Sequence, residues 1–232
     1  MAKKDSSLRI QAYSIIKDKI INCEYRPGAM ITEDLLIDEL GLTRTPIRDA
    51  LGRLEQEGLL TIKPKKGILI TPLHFEEATH LLEARMLYET YAIRNYGTFI
   101  DERALLGLYQ QLLVLSKTPT RVLSNTVDAN LHHLIIDAVP NTYIRSHYQV
   151  IDDQIKRLKI RLRIITGVYQ RRLSETQQEH LAIIAALLKK DWETAEEALR
   201  QHLTESNNTV IELFLSKLDG HEFAAVEGKT TA

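Results

Sequence analysis

Residues 31–70 read ITEDLLIDELGLTRTPIRDALGRLEQEGLLTIKPKKGILI, and the reading of this stretch decides the fold of the first third of the chain. Thr32 is placed to cap a helix whose positive first turn carries Glu33 and Asp34. Leu35, Leu36 and Leu40 give that helix an apolar stripe, and Gly41 can end it in the left-handed conformation. Three residues later a second helix begins, capped by Thr43 or Thr45. Pro46 suits its first turn, where the N–H groups have no partner in any case. Ile47, Leu51 and Leu54 recur at helical spacing and face inward, and Gly58 closes the helix. Leu59–Lys63 and Ile68–Thr71 read as two short strands around a cationic turn, Pro64-Lys65-Lys66-Gly67.

Helix, tight turn, helix and hairpin in that order predict a winged helix-turn-helix, which makes duplex DNA the first partner to consider. Arg44 and Arg48 are four residues apart and share a face, with Thr45 between them, at the end that would enter a major groove. Arginine suits this position because its planar fork reaches guanine O6 and N7 or grips a phosphate. Lys65, Lys66 and the backbone at Gly67 suit phosphate or minor-groove contact. The plainer alternative is an αα-hairpin with solvated charges, against which the Lys-Lys-Gly hairpin tip is an added coincidence.

The stretch PGAMITEDLLIDELGLTRTPIRDALGRLEQEGLLTIKPKKGILITPL resembles the GntR superfamily of bacterial transcription regulators. Their signature G-[VL]-[ST]-R-T-P-[VI]-R-[ED]-A-L is matched by Gly41–Leu51, and the resemblance covers about residues 8–73. It implies base- and phosphate-contacting roles for Arg44 and Arg48. One departure stands out. The fatty-acid-responsive branch often carries another DNA-contacting arginine in the preceding helix, where this chain has Asp34, and an acid cannot make that phosphate contact.

The bulk numbers accommodate this reading. The chain has 232 residues, enough for one or two domains with a full core, and a net charge of only −1. Residues 1–72 carry 12 Lys/Arg against 10 Asp/Glu (+2), and the rest carry 18 against 21 (−3). The positive excess sits with the proposed DNA module but is small, so binding depends on placed contacts and on two copies more than on bulk attraction. Cys23 is the only cysteine, which excludes an intrachain disulfide and fits a reducing compartment. The start lacks an apolar signal core, and the longest apolar run, Leu181–Leu188, is too short to span a bilayer. The expectation is a cytoplasmic, nucleoid-associated protein with no membrane partner.

An amphipathic helix is expected over Ser6–Asn22, leading into the Pro27-Gly28 turn. Pro72 marks a domain boundary near residue 73. Beyond it the pattern is helical throughout, with helices expected at about 75–95, 101–116, 121–138, 141–166, 174–189 and 191–218. Breakers fall at Asn95-Tyr96-Gly97, Thr118-Pro119, Pro140-Asn141 and Gly167. Ser174 with Gln177 suggests a capping box, and residues 221–232 read as a frayed, flexible tail. The expected class is mostly α: a winged helix-turn-helix with a small β-hairpin wing over residues 1–73, then an all-helical six-helix domain over 74–220.

Four polar side chains in the second half stand where core residues belong. Asp128 and His132 share a face with Leu131 and Ile135. His180 lies on a stripe with Ile183, Ile184 and Leu187, and His202 on one with Ala195, Ala198 and Leu199. Buried polar groups are costly unless satisfied, and a divalent cation would satisfy all four together. Three imidazoles and a carboxylate suit Zn²⁺, Ni²⁺ or a similar borderline cation. Taken singly, each could instead be a satisfied core histidine or a local Asp–His pair. His133 sits about 100° round the helix from His132 and is set aside, as are His74, His80, His147 and His221.

A six-helix bundle behind such a head resembles the FCD ligand-binding domain of the FadR-like branch. Metal-binding members show D-x-x-x-H, a later E-H-x-x-[IL] and a final Q-H-L. Here these are Asp128-Ala-Asn-Leu-His132, Glu179-His180-Leu-Ala-Ile and Gln201-His202-Leu. The resemblance implies a metal held by Asp128, His132, His180 and His202, with a small organic acid anchored at it. Arg85, in an R-x-x-x-E pattern with Glu89, can grip that acid's carboxylate, or pair with Glu89 at i,i+4. Which of Arg157, Arg161 and Arg163 faces the pocket is left open.

The expected function is a ligand-responsive regulator that binds a near-palindromic operator as a homodimer. A purely structural metal is the alternative. A metalloenzyme with an accessory DNA module is disfavoured, because no HExxH, nucleophile elbow or phosphate loop is present and Glu179 should point away from the metal.

Overall fold

The computed structural model describes residues 2–117, 121–166 and 172–218. The expected joints at Thr118-Pro119 and Gly167, His221, the tail from 221 and the Arg163 side chain lie outside the described residues. The described residues form two compact units, one of residues 2–78, 153–161 and 217–218, the other of 79–117, 121–152, 162–166 and 172–216.

The first unit opens with helix α1 (Ala2–Ile21), which buries Ala12, Ile16 and Ile20 at four-residue spacing. Strand β1 (Met30–Ile31) leads to α2 (Glu33–Leu40). Thr32 caps α2 as expected: its hydroxyl accepts from the Leu35 N–H at 3.1 Å, and Gly41 ends the helix at φ 64°. The buried face of α2 centres on Leu36 with Ile37 and Leu40 packed beside it. Leu35 is 46% exposed, because one residue is about 100° on an eight-residue helix. Helix α3 (Arg44–Gln56) starts at Thr43, whose side chain makes no capping bond, and buries Pro46, Ile47, Ala50, Leu51 and Leu54. Gly58 follows at φ 72°.

Strands β2 (Leu60–Lys63) and β3 (Gly67–Ile70) form the expected hairpin. It gains a third strand the sequence did not suggest: β1 pairs antiparallel with β3, so the order is β1-β3-β2. The nine-residue stretch Asp153–Arg161 groups with this unit. Lys17 Nζ lies 2.8 Å from Glu57 Oε2 and 2.7 Å from Asp153 Oδ2, and the buried Arg157 guanidinium donates to the Thr71 carbonyl.

The second unit is helical: most of α4 (Phe75–Tyr96), α5 (Glu102–Lys117), α6 (Arg121–Asp137), most of α7 (Thr142–Thr166), α8 (Leu173–Leu188) and most of α9 (Trp192–Leu218). A short 3-10 turn at Gly97–Phe99 follows α4, and Gly97 is required there: a Cβ would stand 2.6 Å from the Trp192 ring. The suggested Ser174–Gln177 capping box is absent. Helix α8 begins at Leu173 with Arg172 in the cap position and no side-chain capping bond, which puts Ser174 inside the helix rather than at its cap. The core runs through Leu105, Leu112, Leu131, Ile135, Ile183, Ile184, Leu187 and Leu199. No described helix is long and apolar enough to cross a membrane.

Candidate metal centre and nucleic-acid interface

Three helices of the second unit carry the four polar residues to one point. Helix α6 stacks Asp128 and His132 one turn apart, α8 brings His180 and α9 brings His202. One ligand atom from each lies within 4.8 Å of all the others. Asp128 Oδ1 is 3.3 Å from His180 Nε2 and 3.6 Å from His132 Nε2, and the Nε2 atoms of His180 and His202 are 3.4 Å apart. Donors around a tetrahedral Zn²⁺ stand about 3.4 Å from one another, given metal–nitrogen bonds of about 2.0–2.1 Å. The three imidazoles are 0–2% exposed, and His132 Nε2 is buried with no hydrogen-bond partner. The donor set fits a borderline divalent cation.

The opposite edges of two rings are tied down. His132 Nδ1 lies 2.6 Å from Glu89 Oε2, and His202 Nδ1 lies 2.8 Å from Glu179 Oε2. A carboxylate behind Nδ1 holds the proton there and leaves Nε2 as the free donor. Glu179 thus points away from the ligand atoms, yet serves the ring of the other helix, while Arg172 grips its second oxygen. Burial, then the neighbouring His180 and His132, push His202 well below the ordinary histidine pKa, which keeps it in the neutral form a metal needs.

Glu89 is fully buried at the hub of this network. It accepts from Arg85 Nε at 2.7 Å and from the Tyr148 hydroxyl at 2.5 Å, besides facing His132. Burial alone would raise its pKa, but Arg85 and His132 win and hold it at about 2. Arg85 therefore does pair with Glu89, through Nε only. Its Nη1 is buried and bonded to nothing, and its charge is felt by both Asp128 and His202. Of the histidines set aside, His133 faces Asp152 at 2.9 Å, and His74, His80 and His147 are exposed. Arg157 belongs to the first unit, on the Thr71 carbonyl.

In the first unit, Arg44, Thr45 and Arg48 lie exposed at the start of α3. That first turn holds no acidic residue of its own. Lys65 and Lys66 are exposed at the β2–β3 turn. Gly67, at φ 110°, lets β3 pass so close to β1 that a Cβ would lie 2.7 Å from the Ile31 carbonyl oxygen. Arg44 Nη2 is 3.1 Å from Asp34 Oδ1, and Arg48 Nε is 3.0 Å from Glu33 Oε2, so both exposed arginines meet acids of α2.

The model of the bacterial regulatory proteins, gntR family, matches residues 8–70, and that of the FCD domain matches residues 80–205. The chain belongs to the GntR regulators that carry an FCD domain. This GntR regulator is 27% identical over 206 residues to the uncharacterised HTH-type transcriptional regulator YdhC of Bacillus subtilis, covering 86% of this chain and 89% of that protein. Its fold is similar to E. coli McbR/YncC, with a TM-score of 0.75 at 17% identity over 89% of this chain and 98% of that one. It is also similar to the Zn²⁺-bound FCD domain of TM0439, with a TM-score of 0.53 at 25% identity, over 60% of this chain and 94% of that one. The GntR–FCD chain is a DNA-binding transcriptional regulator, and its domains and named relatives are regulatory rather than enzymatic.

Sequence reasoning missed two members of the FCD network. Tyr148 carries no sequence signal that ties it to Glu89, and Glu89 was visible only as a partner for Arg85. The pattern of buried polar residues on α4 (Arg85 and Glu89) was the one available hint.

Proposed function

We propose that this regulator binds a near-palindromic operator as a homodimer, and that a small organic acid held at a divalent cation in the FCD domain tunes its operator affinity. The division intended is a reader head over residues 1–73 and a sensor over 74–220. Arg44, Thr45 and Arg48 read or grip the duplex from α3, and Lys65, Lys66 and the Gly67 backbone contact it from the wing. Two copies related by a two-fold axis match the symmetry of a palindromic site. A regulator of this kind works at the nucleoid, in the cytoplasm.

The observation that carries the sensing half is a charged group with spare donor capacity beside a four-donor cluster. Arg85 Nη1 is buried and unbonded, near Asp128, His132, His180 and His202. A Zn²⁺ or Ni²⁺ held by those four side chains would take an oxygen ligand by expanding its coordination beyond four. An acid's carboxylate satisfies Arg85 Nη1 at the same time, which selects carboxylates over neutral oxygen donors. The similarity to a Zn²⁺-bound FCD domain supports this choice of cation class. The acid changes operator affinity by as much as its affinity differs between the two states of the protein.

The test combines elemental analysis of the purified protein with a thermal-shift screen of small organic acids, run with the metal and after chelation. Stabilisation by an acid only in the metal-loaded protein supports sensing. Stabilisation by metal with no response to any acid favours a structural staple instead.

A further inference from the structure

The recognition face of α3 is charged, yet in the free protein its two arginines are already engaged. Asp34 stands 3.1 Å from Arg44 and Glu33 3.0 Å from Arg48, both pairs joining α2 to α3 across the turn. Glu33 presents both of its oxygens to Arg48 Nε. All four side chains remain 31–74% exposed, so the pairs are open to exchange with an incoming anion. Exposed pairs of this kind are individually weak and screened by salt. They are therefore poor as stabilising contacts and well suited to be given up.

We infer that Glu33 and Asp34 are built-in counter-ions of the recognition arginines, which a DNA phosphate or base edge must displace and which thereby weaken the grip of the head on arbitrary duplex. The inference rests on the reading that Arg44 and Arg48 face DNA. The charge arithmetic gives it weight. The first 72 residues carry 12 Lys/Arg against 10 Asp/Glu, so two of their ten acids sit on the two arginines that matter most, and removing both charges changes the net from +2 to +4. A head with so little excess charge has its non-specific affinity set by where its acids stand. Asp34 is the sharper case, since its carboxylate is the most exposed of the four groups and sits 3.1 Å from Arg44.

The physical signature is ionic. When DNA binds an arginine already paired to a carboxylate, the freed carboxylate recovers a cation from solution, and one of the cations released from DNA is cancelled. Removing the acid restores that release, so log K against log salt should steepen by about 0.9 for each acid neutralised.

The experiment uses the full chain and a mixed-sequence duplex as probe, titrated from low to high salt. The Glu33→Gln/Asp34→Asn protein should bind roughly tenfold tighter at low salt, with a slope steeper by about 1.8, the advantage fading as salt rises. Asp34→Asn alone should give about half that change in slope. Because Asp34 is exposed and outside the core, it serves as the conservative variant should the double melt early. An unchanged slope in both variants, or weaker binding, overturns the inference, weaker binding meaning that the acids position the arginines for DNA. The Arg44→Ala/Arg48→Ala protein is run alongside. Wild-type binding by that variant would remove the DNA-facing role itself; its loss of binding with no effect of the acid variants would remove this inference alone.

Discussion

Glu89 and His132 meet at 2.6 Å through the imidazole Nδ1, across 43 residues of chain. Both are at most 1% exposed. The contact fixes more than a ring. Glu89 shares its two oxygens among His132, the Arg85 guanidinium and the Tyr148 hydroxyl, so the orientation of the His132 imidazole and the position of the Arg85 guanidinium depend on a single side chain. A buried carboxylate facing an arginine is compensated; the same arginine without it is not.

Glu89→Gln should therefore weaken metal binding by about 10- to 100-fold while leaving all four ligand side chains in place. The amide cannot carry the charge that balances Arg85, so the metal-free protein should also lose about 3 kcal/mol of stability. Competition with a chromophoric chelator measures the first effect, and chemical denaturation of the metal-free protein measures the second. Wild-type metal affinity in this variant would mean that His132 needs no support from behind.

The contrast between what was legible and what was not has a physical cause. The six helices of the second half follow from apolar residues recurring every three or four positions, and their observed ends lie within one or two residues of the expected ones. Asp128 and His132 were readable together because i and i+4 share a face on any helix. His180 and His202 were readable because each interrupts an apolar stripe. Glu89 was not assigned to His132, because that contact is set by how α4 packs on α6, which no local period encodes. Strand β1 escaped notice for a related reason: its two residues, Met30 and Ile31, become a strand only by pairing with Leu69 and Ile68. Leu35 and the Ser174–Gln177 pair misled because a leucine or a capping motif marks a tendency that tertiary packing overrides.

His180→Ala should abolish metal retention. His180 Nε2 is the donor closest to both Asp128 Oδ1 and His202 Nε2, at 3.3 and 3.4 Å, so its loss opens the cluster at its centre. Elemental analysis after dialysis measures this directly. Full occupancy in the variant would show that the ligand set is misassigned. The small cavity left by the imidazole should be tolerated, since Ile183, Ile184 and Leu187 still pack on the same face.

Arg48→Ala should weaken operator binding by about 1–3 kcal/mol, with the melting temperature close to wild type. The side chain is 63% exposed and pairs with Glu33 in a weak surface contact, so the fold has little stake in it. Fluorescence anisotropy with an operator selected from a random duplex pool gives the affinity. Retained affinity would move the reading role away from this end of α3.

Lys17→Met tests the charged knot of the first unit. Lys17 is 15% exposed and touches Glu57, Asp153 and the Tyr13 hydroxyl at 2.7–2.8 Å. Burial would lower its pKa, but the hydrogen bonds it donates to Asp153, Glu57 and Tyr13 overcome that and raise it. A folded-state pKa above the unfolded value means stability that is complete below the ordinary lysine pKa of about 10.4 and is lost as pH rises through the folded value. The variant should thus be less stable by about 2 kcal/mol at pH 7, since the Glu57 and Asp153 carboxylates lose the cation they share. The gap should stay constant up to about pH 9 and narrow by roughly 1 kcal/mol near pH 11.5. Urea midpoints of both proteins across that range measure it, and a gap that widens with rising pH would show that Lys17 is held neutral in the folded protein.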